Sequence, residues 1–520
     1  MEIVLQCLLR VLPACLAAAL AAAYFVHMLQ LCSYQWGQYR HYIQKNAKTI
    51  FGLRRMVALL LVLPFVLQHR GADSGWYYAL LLLAYSGLNR PHKAKKPLVY
   101  TARVKRMLCT AGILFLLALL PGLFLPYGMA AFGLALYLAP FVLALSNWLN
   151  SPMEKAIANR YVRQAREKLA AMPALTVIGI TGSFGKTSTK YFLNTLLSTQ
   201  YHVLMTPGNY NTTLGVVRTV REMLSPTHQI FLCEMGARHK GDIKEICDLV
   251  HPRYGVITAI GEQHLESFGS VDTIIQTKFE LYDAVPDQGL VFLNFDNEAI
   301  ASHGTRPNVI RYGLEGERDY KATDIVVTGQ GTEFTVTGPD GQSARFRTRL
   351  LGEHNVQNIT AAIAVSHQLG IPFEKLVPAV RRLEAVPHRM QLIRGGGNYT
   401  VIDDAYNSNP KGAEAALRTL DLCQGLRILV TPGMVELGEK EYELNYAFGQ
   451  FAASRCDYVA LVNPKQSEPI RKGLLDAGFP EEKLYVAQTL QQAIQFAQTC
   501  GQPNEPRFVL LENDLPDNYG

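Results

Sequence analysis

Thr176-Val-Ile-Gly-Ile-Thr-Gly-Ser-Phe-Gly-Lys-Thr-Ser-Thr-Lys190 joins a short apolar run to a glycine-rich turn and then to Lys186-Thr187. The β-branched run reads as a buried strand, and the polar stretch beyond the turn opens a helix. That order predicts a phosphate cradle, because the N–H groups of the turn and the positive end of the helix both face an anion. Gly182, Ser183, Gly185, Lys186, Thr187 and Ser188 are the residues expected around a nucleotide. Lys186 reaches its terminal phosphates and the Thr187 hydroxyl sits on Mg²⁺. The strict G-x-x-x-x-G-K-[ST] spacing is not met: position 180 is Ile, and the nearest earlier glycine is Gly179. The plainer reading is a strand-to-helix turn with no ligand, which leaves Gly-Lys-Thr at that junction without a use.

From about residue 174 the pattern alternates short β-rich runs with amphipathic helices, the mark of a mostly parallel α/β sheet. Strands are expected at Val177–Ile180, Ile230–Cys233, Gly255–Ala259 and Gly289–Phe292. The glycine turns within Asp324–Gly341 predict an antiparallel insertion. A second α/β unit begins near Tyr399, after the Gly395-Gly-Gly397 linker, with strands at Tyr399–Ile402, Arg427–Thr431, Tyr458–Val462 and Phe508–Leu511. Glu234 ends one of the first unit's strands, where open α/β sheets bind ligands, and is placed to be a Mg²⁺ ligand opposite the phosphate loop. His264 follows another strand; taken alone, a single loop histidine carries no chemistry.

Before residue 150 the chain is a different material. Hydrophobic residues make up 49% of the 520, and the excess is concentrated there. Val11 to Leu31 is an apolar run long enough to cross a bilayer. Met56–Leu67 and Trp76–Leu88 are shorter, and Met107–Leu125 and Gly128–Leu145 are of full length. Lysines and arginines crowd the first and third connections and the segment after residue 150, and are nearly absent from the second and fourth. This alternation predicts about five spans, the N-terminus outside and the C-terminal part in the cytoplasm of a multi-pass cell-membrane protein; if Met56–Leu67 and Trp76–Leu88 form one re-entrant hairpin instead, both flanking loops still lie inside. The net charge of +7 therefore points to a membrane surface and not to nucleic acid. The basic loop Asn89–Arg106 is a topology signal or a contact for anionic membrane lipids. The nine cysteines contain no C-x-x-C pair and read as free thiols.

Motifs in a fixed order complete the reading. Gly179–Lys190 is followed by Gly208-Asn-Tyr-Asn-Thr-Thr-Leu-Gly215, Glu234-Met-Gly-Ala237, His264-Leu-Glu-Ser-Phe-Gly-Ser270 and Lys278-Phe-Glu280. Gly352-Glu-His-Asn-Val-Gln-Asn358, Asp403-Asp-Ala-Tyr-Asn-Ser-Asn-Pro410 and Gly433-Met-Val-Glu-Leu-Gly438 come next. From Thr176 to the C-terminus the chain resembles the Mur ligase family of ATP-dependent acid–amino acid ligases. Its MurF branch, which adds D-alanyl-D-alanine to a UDP-muramoyl tripeptide, is the nearest in motif.

The resemblance implies an α/β fold: a phosphate-loop central domain at 174–394 and a Rossmann-like C-terminal domain at 395–520. An all-α transmembrane region at 1–150 and a basic linker at 151–173 precede them. It implies ATP and Mg²⁺ as cofactors, with Thr187, Glu234 and His264 as the metal set. Lys278 corresponds to a carbamylated lysine serving a second Mg²⁺. It places Asn355 and Asn358 at the adenine and Arg389 at the phosphates. Asp403, Asp404 and Tyr406 fall at the ribose and phosphates, and Asn209, Asn211, Asn407 and Asn409 at the substrate. Lys186, His264, Lys278 and Arg389 are then the catalytic residues of amide formation in peptidoglycan precursor synthesis. The partners would be a UDP-linked or polyprenyl-linked cell-wall precursor and an amino acid or dipeptide. Four departures stand out: Phe184 stands where many relatives carry a small polar residue, His388 replaces a common glycine before Arg389, Leu511-Glu-Asn-Asp-Leu-Pro-Asp-Asn-Tyr519 replaces a lysine-bearing segment, and the membrane segment takes the place of the soluble domain that grips the UDP part in these ligases. The competing function is a phosphate-loop ATPase coupled to membrane transport or sensing.

Overall fold

The computed structural model describes residues 2–63, 73–89, 97–124, 128–263, 265–328, 331–395, 398–406, 408–502 and 505–514. Its contacts separate a helical N-terminal unit ending at Asn159 from an α/β unit, Arg160–Asp514.

The α/β unit holds two sheets. The first is built from β1 (Thr176–Thr181), β2 (Val203–Met205), β3 (Ile230–Glu234), β4 (Tyr254–Ile257), β5 (Leu290–Asn294), β6 (Val309–Gly313), β7 (Tyr320–Thr328), β8 (Gly331–Thr337) and β9 (Ser343–Thr348). Its order is β2-β3-β1-β4-β5-β6-β7-β8-β9. From β2 to β7 neighbouring strands are parallel. Helices cover both faces, so β3 is buried at every residue and its sequence, Ile-Phe-Leu-Cys-Glu, shows no polar alternation. The antiparallel β7–β8 and β8–β9 pairs form the predicted insertion. Register decides where chemistry collects. Ile180 pairs with Glu234, so the phosphate loop and the carboxylate leave the sheet side by side at its C-terminal edge.

The second sheet runs β10-β11-β15-β12-β13-β14, from β10 (Gln391–Arg394), β11 (Tyr399–Asp404), β12 (Leu426–Thr431), β13 (Tyr458–Val462), β14 (Leu484–Ala487) and β15 (Arg507–Glu512). All pairs are parallel except β10–β11. Since β10 lies in this sheet, the C-terminal unit begins before the glycine linker, several residues earlier than sequence composition indicated. Asp404 lies beside Glu512 across β11 and β15.

Residues 151–173, expected as a linker, are instead mostly the second half of one helix, Ala139–Ala170. Its end packs Val162, Ala165 and Leu169 into the core beneath β1, with Val177, Val216 and Val220. Apolar spacing of three and four residues explains why this basic stretch folds as an amphipathic helix.

The N-terminal unit packs its helices around Phe25, Tyr39, Leu82, Phe115, Phe132 and Leu143. Two described helices are long and apolar enough to cross a membrane, Leu8–Leu31 and Ala102–Pro121. A third candidate, Met129–Tyr137 with Ala139–Ala170, is bent by 82°. The five expected spans are thus not all matched. Val57–Val62 is a short 3₁₀ segment, Trp76–Leu88 is a shorter apolar helix, and the bend breaks Gly128–Leu145. Residues 64–67 of the second expected span lie outside the described residues.

Candidate nucleotide and ligase site

The loop after β1 is held open by its glycines. Gly182 has φ +150° and Gly185 has φ +81°. A Cβ on Gly182 would strike Thr258 Oγ1, and one on Gly185 would come within 2.6 Å of Asn358 Oδ1. Only glycine keeps this backbone, and the turn is pinned to the neighbouring strand by Ser183 N, which donates to Ala259 O at 2.6 Å. Neighbouring strand ends brace the turn. Ser183 Oγ donates to Gly261 O at 3.0 Å, and Thr181 Oγ1 donates to Met235 O at 2.9 Å.

Lys186 begins the helix Lys186–Leu197 and folds back over the loop, donating to Gly182 O at 2.6 Å and Ser183 O at 3.1 Å. Burial pushes its ammonium down to about 8; Glu234 opposes that shift and Arg389 adds to it. A lysine clipped to the loop carbonyls sits where a terminal phosphate would be met.

Glu234 is the centre of the arrangement. It is 1% exposed. Its Oε1 accepts from Thr187 Oγ1 at 3.1 Å and from Asn211 Nδ2 at 3.1 Å. Its Oε2 lies 2.8 Å from Lys190 Nζ, off the line of a hydrogen bond. Burial raises its pKa, but Lys190, Lys186 and Asn211 outweigh that, and the carboxyl titrates below its ordinary value. Lys190 also donates to Gly208 O at 2.8 Å, and Asn211 O accepts from Gly236 N at 2.7 Å. One carboxylate therefore ties the phosphate-loop helix to the 208–212 loop. Asn209 enters through its backbone carbonyl, which accepts from Asn211 N, while its side chain is exposed.

Lys278, on the helix Val271–Ala284, is 3% exposed. Burial, reinforced by Lys186, pushes its amine down to about 7. Arg389 stacks over Tyr406 at 4.4 Å from the ring centre, and its charge acts on both Lys186 and Asp404. Arg389, just before β10, thus carries its charge within reach of the phosphate loop.

Two family models account for these features. Residues 180–366 match the Mur ligase middle domain, and 388–511 match the Mur ligase, glutamate ligase domain. A solved MurF from Acinetobacter baumannii is 31% identical and superposes with a TM-score of 0.59, covering 70% of this chain and 78% of that one. The chain belongs to the Mur ligase family. MurF ligase from Thermotoga maritima, solved in complex with ADP, is 25% identical with a TM-score of 0.62, over 69% of this chain and 81% of that one. The UDP-N-acetylmuramoyl-tripeptide–D-alanyl-D-alanine ligase of Bacillus subtilis is 35% identical over 51% of this chain and 57% of its own length. The Escherichia coli ligase of the same name is 34% identical over 56% and 66%. This Mur ligase chain therefore spans between about half and two thirds of the curated relatives it matches.

Within the Mur ligase framework most sequence-named residues converge. Gly182, Ser183, Gly185, Lys186, Thr187, Glu234 and Asn211 meet at the first sheet's edge, and Ser188 lies on the first turn of the helix behind them. Asn358 Oδ1 accepts from Thr189 Oγ1 at 3.3 Å, beside the loop. Asn355 is turned inward, donating to Leu351 O at 2.8 Å. Asp403 accepts from Ala405 N at 3.1 Å and stands 2.7 Å from His388 Nδ1; Asp404 accepts from Met390 N at 3.1 Å. Asn409 Oδ1 caps the helix Pro410–Asp421 by accepting from Gly412 N. His264 and Asn407 lie outside the described residues.

Among the described residues no three His, Cys, Asp or Glu side chains gather as a ready metal site. The Thr187 hydroxyl and the Glu234 carboxylate nonetheless offer adjacent oxygens suited to a hard cation, and Glu234 Oε2 has no aligned hydrogen-bond donor. Two residues escaped sequence reasoning. Lys190 follows Lys186 by four positions, hence on the same helix face, and that spacing was its signal. Glu512 carried none, since only strand pairing brings it to Asp404.

Proposed function

We propose that this chain is a membrane-anchored, ATP-dependent ligase that forms an amide bond on a peptidoglycan precursor. Its reaction is a MurF-like addition of D-alanyl-D-alanine, or of an amino acid, to a precursor carboxylate. The observation that carries the reading is the convergence of Thr187, Lys190 and Asn211 on Glu234, which joins a phosphate loop to a second loop able to meet an acceptor. A simple ATPase has no use for that second loop, nor for Arg389 reaching back from the second sheet.

In this reading the loop N–H groups and Lys186 hold the ATP phosphates while the precursor carboxylate attacks the γ-phosphorus. A new C–O–P linkage forms and the bond to ADP breaks, leaving an acyl phosphate. The amine then adds to the carbonyl carbon and loses a proton, and the tetrahedral adduct expels inorganic phosphate to leave the amide. Lys186 and Arg389 supply positive charge where the transferred phosphoryl group carries negative charge. Thr187 and Glu234, with His264 and carbamylated Lys278 by family correspondence, would hold Mg²⁺, which supplies further charge neutralisation there. Closing the C-terminal sheet over the loop would keep water from the acyl phosphate.

The candidate spans Leu8–Leu31 and Ala102–Pro121 and the basic connections support a membrane location with the α/β unit on the cytoplasmic side. They also keep a polyprenyl-linked acceptor in play beside the UDP-linked one. The test is an assay of the full-length chain with ATP and each acceptor, with and without D-alanyl-D-alanine. Amide product and phosphate release that need both acceptor and amine are expected. Undiminished ATP hydrolysis without either would favour the transport or sensing ATPase.

A further inference from the structure

Arg55 is a buried cation in the helical unit, 7% exposed, on the short helix Leu53–Met56. Its guanidinium stacks against two rings, 4.4 Å from the centre of Phe25 and 4.7 Å from that of Tyr24. Stacking engages the flat faces of the group and leaves its five in-plane N–H donors unused. Among the described residues no side-chain or backbone oxygen accepts from them, and no carboxylate pairs with the charge.

The neighbouring arginines differ. Arg106 forms a two-pronged pair with Glu154 at 2.7 and 2.9 Å. Arg103 stacks on Tyr34 and also donates to Asn147 Oδ1 at 3.0 Å. The sequence explains why Arg55 lacks such a partner: across residues 1–150 the only acids are Glu2 and Asp73. A guanidinium beside an apolar helix is expensive to leave uncompensated, so such residues mark sites for an opposite charge.

The surroundings suit an oxyanion. Tyr24 and Tyr42 share a hydrogen bond at 2.9 Å beside the guanidinium. Arg54 and Lys48 are exposed on the same stretch. Tyr24 and Phe25 belong to the candidate span Leu8–Leu31, so the guanidinium lies against an apolar helix long enough to cross a bilayer. Guanidinium and phosphate match in a bidentate geometry that an ammonium does not reproduce.

We propose that Arg55 anchors a binding site for the phosphate of a membrane lipid. The guanidinium edge takes the phosphate oxygens, and the aromatic faces hold the guanidinium. This does not rest on the ligase reading, since the same lipid could anchor the unit whatever the α/β unit catalyses.

The test uses the full-length chain in phosphatidylcholine nanodiscs, scored by native mass spectrometry and thermal melting. Three probes are titrated: phosphatidylglycerol, a polyprenyl diphosphate and inorganic phosphate. Binding of one or both lipids by the native chain is expected, at least tenfold weaker in Arg55→Ala and only partly restored in Arg55→Lys. Preference for the polyprenyl diphosphate identifies a lipid-linked substrate, and preference for phosphatidylglycerol a structural lipid. Inorganic phosphate bound as tightly as either lipid overturns the lipid assignment, and equal lipid binding by native and Arg55→Ala chains overturns the site. ADP binding retained by Arg55→Ala shows that the variant is folded. If Arg55→Ala does not fold, Arg55→Lys still decides, because loss of the fork alone must weaken binding.

Discussion

Lys190 Nζ lies 2.8 Å from Glu234 Oε2 with both side chains out of water, at 0% and 2% exposure. A buried pair of this kind adds little net stability while intact, and removing one partner strands a charge at a cost of about 3–5 kcal/mol. Lys190→Met should therefore lower the melting temperature sharply and weaken ADP binding at least tenfold. Lys190→Met combined with Glu234→Gln should recover much of the stability but not the binding. Calorimetry on the single and double variants checks this, and simple additivity of the two losses would show that the pair is not coupled.

The phosphate loop depends on glycine for its shape. Gly182→Ala must hold a side chain at φ +150° and push against Thr258. A strained backbone position of this kind costs about 1–3 kcal/mol. Nucleotide binding should fall more than stability does, because the N–H groups turn away from the phosphates. A variant that binds ADP like the native chain would mean that the loop is not the phosphate site.

Lys278 has the chemistry that carbamylation needs. Carbon dioxide adds to a neutral amine, and burial holds this one at about 7 instead of the usual range near 10. Above pH 7 most Lys278 is free amine, so labelled bicarbonate at pH 8 should give a carbamate ¹³C signal that Lys278→Ala lacks. Lys278→Ala should lower ligase turnover at least a hundredfold with the fold intact. A native spectrum without the carbamate signal would remove this residue from the metal set.

Asp404 and Glu512 give the α/β unit a pH dependence of defined sign. Burial raises both carboxyls: Asp404 to about 6, with Asp403 adding to the shift, and Glu512 well above its ordinary value, with Asp404 adding to the shift; Arg389 opposes it at each. Ser408 Oγ donates to Glu512 Oε1 at 2.5 Å. Both groups hold their protons more tightly folded than unfolded. Their contribution to folding is therefore complete below about pH 4 and is lost as pH rises through 6. Glu512→Gln should flatten the fall in melting temperature between pH 5 and pH 8. An unchanged slope would place the titrating group elsewhere.

Much of this was written locally in the sequence. The strand–loop–helix over 176–190, the antiparallel insertion and the order of motifs follow from hydrophobic period, glycine position and residue type, which act over a few neighbours. The span count was not. Apolar composition alone does not tell a helix that crosses a bilayer from one buried against other helices, and Trp76–Leu88 meets the composition without the length. The basic stretch after residue 150 looked like a linker because charge conceals the sparse apolar stripe that docks it under β1.

The sequence by itself named the residues suited to a phosphate, Lys186 and, through the family resemblance, Arg389, and those suited to its cation, Thr187 and Glu234. Tertiary structure decided their company. Strand register put Glu234 beside the loop, helix phase turned Lys190 inward onto it, and the β11–β15 pairing brought Glu512 to Asp404. These partners are tens to more than a hundred positions apart or on opposite elements, so no local pattern encodes them. Packing geometry, which exists only once the sheets have formed, sets which charges meet and how far each is shifted.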